Sequence, residues 1–274
     1  MYKEYLGLGI AGNFAMHLEQ AGELEDFKDV LTEDPFAPKG LFAYYVPNFD
    51  TFLGTYPLSS DTIALPDYEC NVQMEPEVAL VCDIEYDADK IISIKPTHFG
   101  AYNDCSLRKE APKISYKKNW GKDTKGIAKN LIAIDKFESG GVMDSYRIAS
   151  FLRRDGIVMR YGEDVELLGY SYFHQKLLDW IVNQLNTQRD FGPLEPISEY
   201  IKKANRPKKA LISIGATRYT AFGESNFLRD GDEIIVVVYD NNLYCTNPIL
   251  SMASSNTLED SDGISVLIQK VVRA

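Results

Sequence analysis

Two glutamates stand two residues apart at the mouth of an apolar run, NVQMEPEVALVCDI (residues 71–84). They are the first residues here whose types and spacing suggest chemistry. Read as a strand, the run sends Glu75 and Glu77 to one face, about 6–7 Å apart along the chain by the strand rise. That face continues with Ala79 and Val81, an apolar row rather than a solvated one. Two ionised carboxylates in such a cleft repel one another and are costly to desolvate unless a cation joins them. A hard divalent ion with oxygen ligands is the simplest compensation; a sheet-edge pair of acids left in water is the alternative. A third acid, Asp104, lies in the turn-rich HFGAYNDCSLRKE (residues 98–110), and hairpin geometry could return it beside the glutamates. Three monodentate carboxylates with waters would suit Mg2+ or Mn2+, leaving positions open for substrate.

The charge around these acids is unevenly spread. Arg108 to Lys129 holds eight bases against Glu110 and Asp123, while Glu19 to Asp34 holds seven acids against Lys28 alone. An acidic protein that gathers its bases in one segment has a place to hold an anion, with a solvated basic loop as the alternative. The net charge of −11 argues against nucleic acid or an anionic membrane as the main partner. Cys70, Cys82, Cys105 and Cys245 show neither a CxxC pair nor zinc spacing, so reduced thiols are expected. The 274 residues, 45% hydrophobic and 25% charged, are ordinary globular composition for one large domain or one with a small appendage. No apolar run approaches the roughly 18–20 residues of a membrane helix, and the N-terminus lacks a charged leader region; a cytoplasmic protein is expected.

The elements that must position the acids read as mostly β. Residues 77–84 and 90–94 suggest an antiparallel pair across EYDAD, and LFAYYV and DTIALP short β segments. RIASFLRRDGIVMRY reads as extended segments about Asp155-Gly156, and KKALISIGA, RDGDEIIVVVY and GISVLIQKVV as three further strands. The spacing predicts helices over residues 11–31 and 166–186, the latter with Tyr170, His174, Leu177 and Ile181 on one face. His174 is then a core residue, and His98 is either close to the site or merely exposed. Strands do not alternate regularly with helices, which disfavours a doubly wound parallel sheet and favours an α+β, mixed β core. GLGIAG (residues 7–12) matches the dinucleotide fingerprint, but no repeated βαβ pattern follows; it reads as chance plus a tight turn.

Taken in order, these segments resemble the fumarylacetoacetate hydrolase family. EPEVALV resembles its Glu-x-Glu strand and NDCSLR its Asn-Asp-x-x-x-Arg element; NWGKDTKGIA resembles the segment with a substrate-facing lysine, here Lys122. IGATRYTAFGE with RDGDEIIVVV is similar to the Gly-Thr-Pro turn and Pro-Gly-Asp strand, which makes Thr217 the site threonine. GNFAMHLEQ is similar to the Asn-Tyr-x-x-His-x-x-Glu lid helix, matching Asn13 and His17. The resemblance runs from about residue 9 to 247. It departs at Gln20, where the lid pattern has glutamate, at LFAYYVP, where Phe-x-Lys-Pro is usual, and at Ala216-Thr217-Arg218.

The resemblance implies a β-roll or barrel-like core with a few flanking helices. It divides the chain into a lead-in with lid helix (1–65), a metal-binding catalytic core (66–250) and a C-terminal extension packing on it (251–274). It implies a divalent-metal enzyme acting on 2-oxo or β-diketo acids, which hydrolyses, decarboxylates or tautomerises them through a metal-stabilised enolate. Glu75, Glu77 and Asp104 would hold Mg2+ (or Mn2+ or Ca2+), and Lys122, His17 and Gln20 would act in catalysis. Arg108, Thr217 and Asn13 would bind a small anionic 2-oxo acid, in a homodimer. Gln20 cannot supply the negative charge that raises an imidazole's basicity, though it can orient the ring; hydrolysis should be weak relative to tautomerisation or decarboxylation. The alternative is a degenerate member that binds metal or a small acid without turnover.

Overall fold

The computed structural model describes residues 1–273, with fifteen strands and six α-helices. The first strands are β1 (Leu6–Ala11), β2 (Gly40–Tyr45), β3 (Leu58–Ser59), β4 (Thr62–Leu65) and β5 (Val72–Gln73). A long hairpin follows, β6 (Pro76–Asp87) and β7 (Lys90–Asn103), then β8 (Ser106–Leu107), β9 (Lys125–Ile127) and β10 (Ile132–Ala133). The last are β11 (Tyr146–Arg154), β12 (Ile157–Glu166), β13 (Lys209–Ser213), β14 (Glu233–Asp240) and β15 (Ile264–Arg273). The helices are α1 (His17–Gln20), α2 (Ser115–Lys118), α3 (His174–Thr187), α4 (Ile197–Lys203), α5 (Ala221–Ser225) and α6 (Thr246–Ser255).

A mixed, curled eight-stranded sheet runs β2-β1-β13-β6-β7-β9-β3, with β10 also on β7, and a five-stranded sheet runs β12-β11-β14-β15-β4. The β6–β7 hairpin carries the site because its two faces meet different surroundings. Val78, Leu80, Cys82 and Ile84 join the main core with Ile234, Val236 and Leu267 of the second sheet. Ala79 and Val81, on the opposite face, pack with Phe42, Tyr44, Tyr102 and Leu211. The alternation read from the sequence therefore holds, and both faces are buried. Residues 1–65 contribute β1 and β2 to one edge of the first sheet, whereas β15 lies between β14 and β4 in the second.

Three sequence readings change. Residues 11–31 form only α1 and one 3-10 turn (Leu24–Phe27), because Gly12, Met16 and Gly22 all take positive φ and break the helix. Helix α3 starts at His174, not 166: the amides of Ser171 and Tyr172 donate to Asn13 (2.9 Å each), and Phe173 is extended. GLGIAG is no dinucleotide loop: its first five residues lie in β1 and Gly12 makes the tight turn after it, but Gly7 and Gly9 have a packing role that chance would not give. A Cβ on Gly7 would lie 2.4 Å from the Tyr44 ring and one on Gly9 2.2 Å from the Phe42 ring. The two glycines let those rings lie flat against the strand.

Candidate metal centre

The backbone sets the three acids opposite one another. Pro76, the first residue of β6, needs no ladder donor there. On either side of it the Glu75 amide donates to Asn103 Oδ1 (3.2 Å), and the Asp104 amide donates to the Glu75 carbonyl (2.9 Å). Glu77 faces Tyr102 across the β6–β7 ladder. One ligand oxygen from each of Glu75, Glu77 and Asp104 thus lies within 4.8 Å of the others, with all three side chains buried. Glu75 and Glu77 border a cavity of about 20 Å3 lined also by His17, Glu23, Phe42 and Lys118. That is room for about one water or ion. Larger clefts, up to about 550 Å3, lie on the surface away from the acids.

Electrostatics separate the three carboxyls. Burial alone would raise Glu75, but Lys118 and Arg108 outweigh it and hold its carboxyl well below the usual range. Glu77 is pushed up by burial and by the charges of Asp104 and Glu75, although the Gly215 amide donates to it at 2.9 Å. Asp104 is also raised, burial outweighing Lys118 and Lys125. Glu75 Oε1 and both Asp104 oxygens have cations nearby yet accept no well-directed hydrogen bond. Buried carboxylate oxygens with unused lone pairs are the donor set a hard divalent cation takes, so these residues fit Mg2+, Mn2+ or Ca2+.

The remaining sequence-predicted residues divide. His17 is buried on the cavity, and its Nδ1 lies 3.0 Å from the Thr217 carbonyl. A carbonyl only accepts, so Nδ1 carries the proton and Nε2 the lone pair. Burial pushes His17 down to about 4, with Arg108 adding to it and Glu75 opposing. Gln20 does not orient this ring. Its amide clamps the Tyr219 backbone instead, donating to the carbonyl (3.2 Å) and accepting from the amide (2.9 Å). Asn13 is likewise engaged with the main chain, donating to Tyr172 and Ile214 carbonyls (3.0 and 2.8 Å). Thr217 is buried, its hydroxyl donating to the Pro76 carbonyl at 3.4 Å. Arg108 reaches Glu75 Oε1 (2.8 Å), Glu23 (2.9 Å) and the Tyr219 hydroxyl (3.0 Å), so it braces Glu75. Lys122 is exposed and outside the cavity. His98 is exposed, and His174 is half-buried against Asp144 (2.7 Å) rather than a core residue.

Three residues at the site escaped the sequence reading. Lys118, four positions before Lys122, places its ammonium 2.6 Å from both Glu75 Oε2 and Asp104 Oδ2. Its turn, α2, is anchored by Ser115 donating to buried Glu195 (2.8 Å). Lys125 is fully buried 3.4 Å from Asp104 Oδ1. Glu23 returns to the cavity because Gly22 ends α1 in a left-handed turn, with the Glu23 amide donating to the Leu18 carbonyl (2.9 Å). The glycine after an amphipathic turn was the signal for Glu23; nothing in the spacing separated Lys118 from its neighbours.

The fold is like that of the fumarylacetoacetate hydrolase type, as its likeness to the solved structures below shows. The chain belongs to the family of unknown function DUF5718, whose model matches residues 23–271. Among solved structures it is similar to 2-keto-3-deoxy-D-arabinonate dehydratase complexed with magnesium and 2,5-dioxopentanoate. The identity is 17% and the TM-score 0.55, over 98% of this chain and 73% of that one. A 5-carboxymethyl-2-hydroxymuconate delta-isomerase from Mycobacterium smegmatis gives 15% identity and a TM-score of 0.54, over 98% and 79%. Maleylpyruvate hydrolase from Sphingobium sp. SYK-6 gives 11% and 0.50, over 98% and 71%. No curated protein matches the sequence significantly. Among the described residues no helix is long and apolar enough to cross a membrane.

Proposed function

We propose that this protein is a divalent-metal-dependent enzyme acting on small 2-oxo or β-diketo acids. The observation that carries this reading is the convergence of three buried carboxylate oxygens within 4.8 Å. Glu75, Glu77 and Asp104 would hold the ion, Mg2+ by preference. When bound, such an ion supplies Lewis-acid polarisation of a carbonyl oxygen and orients the acid beside it. Arg108 keeps Glu75 aimed inward, and Lys118 adds positive charge where negative charge develops in the substrate. Neutral His17, with Nδ1 committed to Thr217, offers Nε2 as the proton acceptor. Among the described residues no carboxylate is hydrogen-bonded to that imidazole, which favours tautomerisation or decarboxylation over hydrolysis by an activated water. The cytoplasm and a homodimer complete the reading.

A second reading is supported by the cavity itself. At about 20 Å3 it admits an ion but not a 2-oxo acid unless residues 12–39, the excursion between β1 and β2, move aside. A protein that binds metal without turnover would show this closed form. Metal analysis of the purified protein, followed by acylpyruvates and oxaloacetate monitored through enol absorbance, separates the two. We expect bound metal and enol loss in the wild type, and neither in Glu77→Ala. Metal without turnover across the panel would favour the second reading; no metal, with Glu77→Ala fully tolerated, would remove both.

A further inference from the structure

The acid cluster is already balanced by the chain's own cations. Three carboxylates, Glu75, Glu77 and Asp104, face three buried bases: Arg108 at 2.8 Å, Lys118 at 2.6 Å and Lys125 at 3.4 Å. Of these, only the Lys118 ammonium bridges two of the acids, Glu75 and Asp104, and it lines the cavity beside Glu75 and Glu77. We propose that Lys118 is an internal competitor for the metal position: its ammonium occupies the cation seat between Glu75 and Asp104 and must swing away for a divalent ion to enter. This inference rests on the metal-centre reading above.

The geometry leaves little choice. An ion bonded to Glu75 Oε2 or Asp104 Oδ2 at about 2.1 Å would lie no farther than about 4.7 Å from an ammonium held 2.6 Å from the same oxygen. At that separation, in a buried site, a dication and an ammonium repel by many times the thermal energy. The cavity, of about one water's size, cannot house both side by side. The ammonium has somewhere to go: the Phe42 ring face lies 5.1 Å from Nζ, and the Glu23 carboxylate lines the same cavity. Glu23 is therefore a counter-charge for the displaced lysine as well as the partner of Arg108 and Lys117.

The test is Mn2+ binding by calorimetry, with thermal melts in chelator and in Mn2+, on wild type, Lys118→Met and Lys118→Arg. Removing the competitor should tighten Mn2+ binding in Lys118→Met by about tenfold or more. It should also lower the melting temperature in chelator and enlarge the gain that Mn2+ restores. Lys118→Arg, which keeps the charge, should bind no more tightly than wild type. Lys118→Met that folds only when Mn2+ is present would support the proposal equally. In wild type, the Nζ resonance of Lys118 should shift when Mg2+ is added. Wild-type binding with an equal or weaker affinity in Lys118→Met, or an unmoved Lys118 resonance at saturating Mg2+, overturns the proposal and leaves the metal reading intact. Absence of Mn2+ binding by every variant overturns both.

Discussion

His17 donates through Nδ1 to the carbonyl of Thr217, 3.0 Å away and two hundred residues along the chain, and not to Gln20 three residues on. The segment between β1 and β2 is thus tied to the turn after β13 by the very ring placed to act as base. Its tautomer is set by the main chain.

This burial has a pH signature. The ring takes up its proton near 6.5 when unfolded and only at about 4 when folded. Between those values the unfolded chain binds more protons, so stability is fully present above 6.5 and falls as pH drops through the window. The slope is at most about 1.4 kcal/mol per unit from this group. Urea melts at stepped pH should show it, and His17→Gln should flatten it. A ring that titrates near 6.5 by NMR in the folded protein would refute the assignment.

Gln20→Glu restores the lid pattern's acid but removes the donor that Gln20 gives the Tyr219 carbonyl. It also leaves the Tyr219 amide as the only good partner. We expect a loss of about 1–2 kcal/mol in stability and no gain in hydrolysis of any acylpyruvate. A gain would show that the ring can turn to residue 20 after all.

Glu77→Gln and Lys122→Ala should differ sharply. Glutamine can keep an oxygen for the Gly215 amide, so the melt in chelator should change little while stabilisation by Mg2+ disappears. Lys122 is exposed and outside the cavity, so its removal should alter stability by less than about 0.5 kcal/mol and leave metal binding unchanged. Metal-dependent stabilisation that survives in Glu77→Gln would argue against the three-acid cage.

Gly9→Ala tests the role found for GLGIAG. The new methyl would meet the Phe42 ring at 2.2 Å, and that ring is a wall of the cavity. Overpacking of this kind costs about 1–3 kcal/mol. Wild-type stability in that variant would mean the ring has room to withdraw.

The thiols report on burial independently. Cys245 is exposed and should react first with a disulfide reagent, followed by half-buried Cys70, whose thiol burial raises against the pull of Lys109. Burial pushes Cys105 up to about 12 and Cys82 further still, so both should stay silent until denaturant is added. Rapid native labelling of all four would contradict the packing of β6 and the turn after β7.

Much of the fold could be read from period-two patterns and turn residues, because strands such as 233–240 and the hairpin after Asp155-Gly156 are specified locally. Readings failed where long-range partners overrode local propensity. Residues 170–173 look helical, but Asn13 takes two of their amides; residues 11–31 look helical, but left-handed turns fold them over the site.

By itself, the sequence determined that Glu75 and Glu77 share a face with an apolar row, since alternation is a property of any strand. The tertiary structure alone decided which cation meets them. Lys118 and Lys122 lie four residues apart in one basic segment and look equivalent as text. A one-turn helix tied to Glu195 sends the first into the acids, and the chain beyond it leaves the second in solvent.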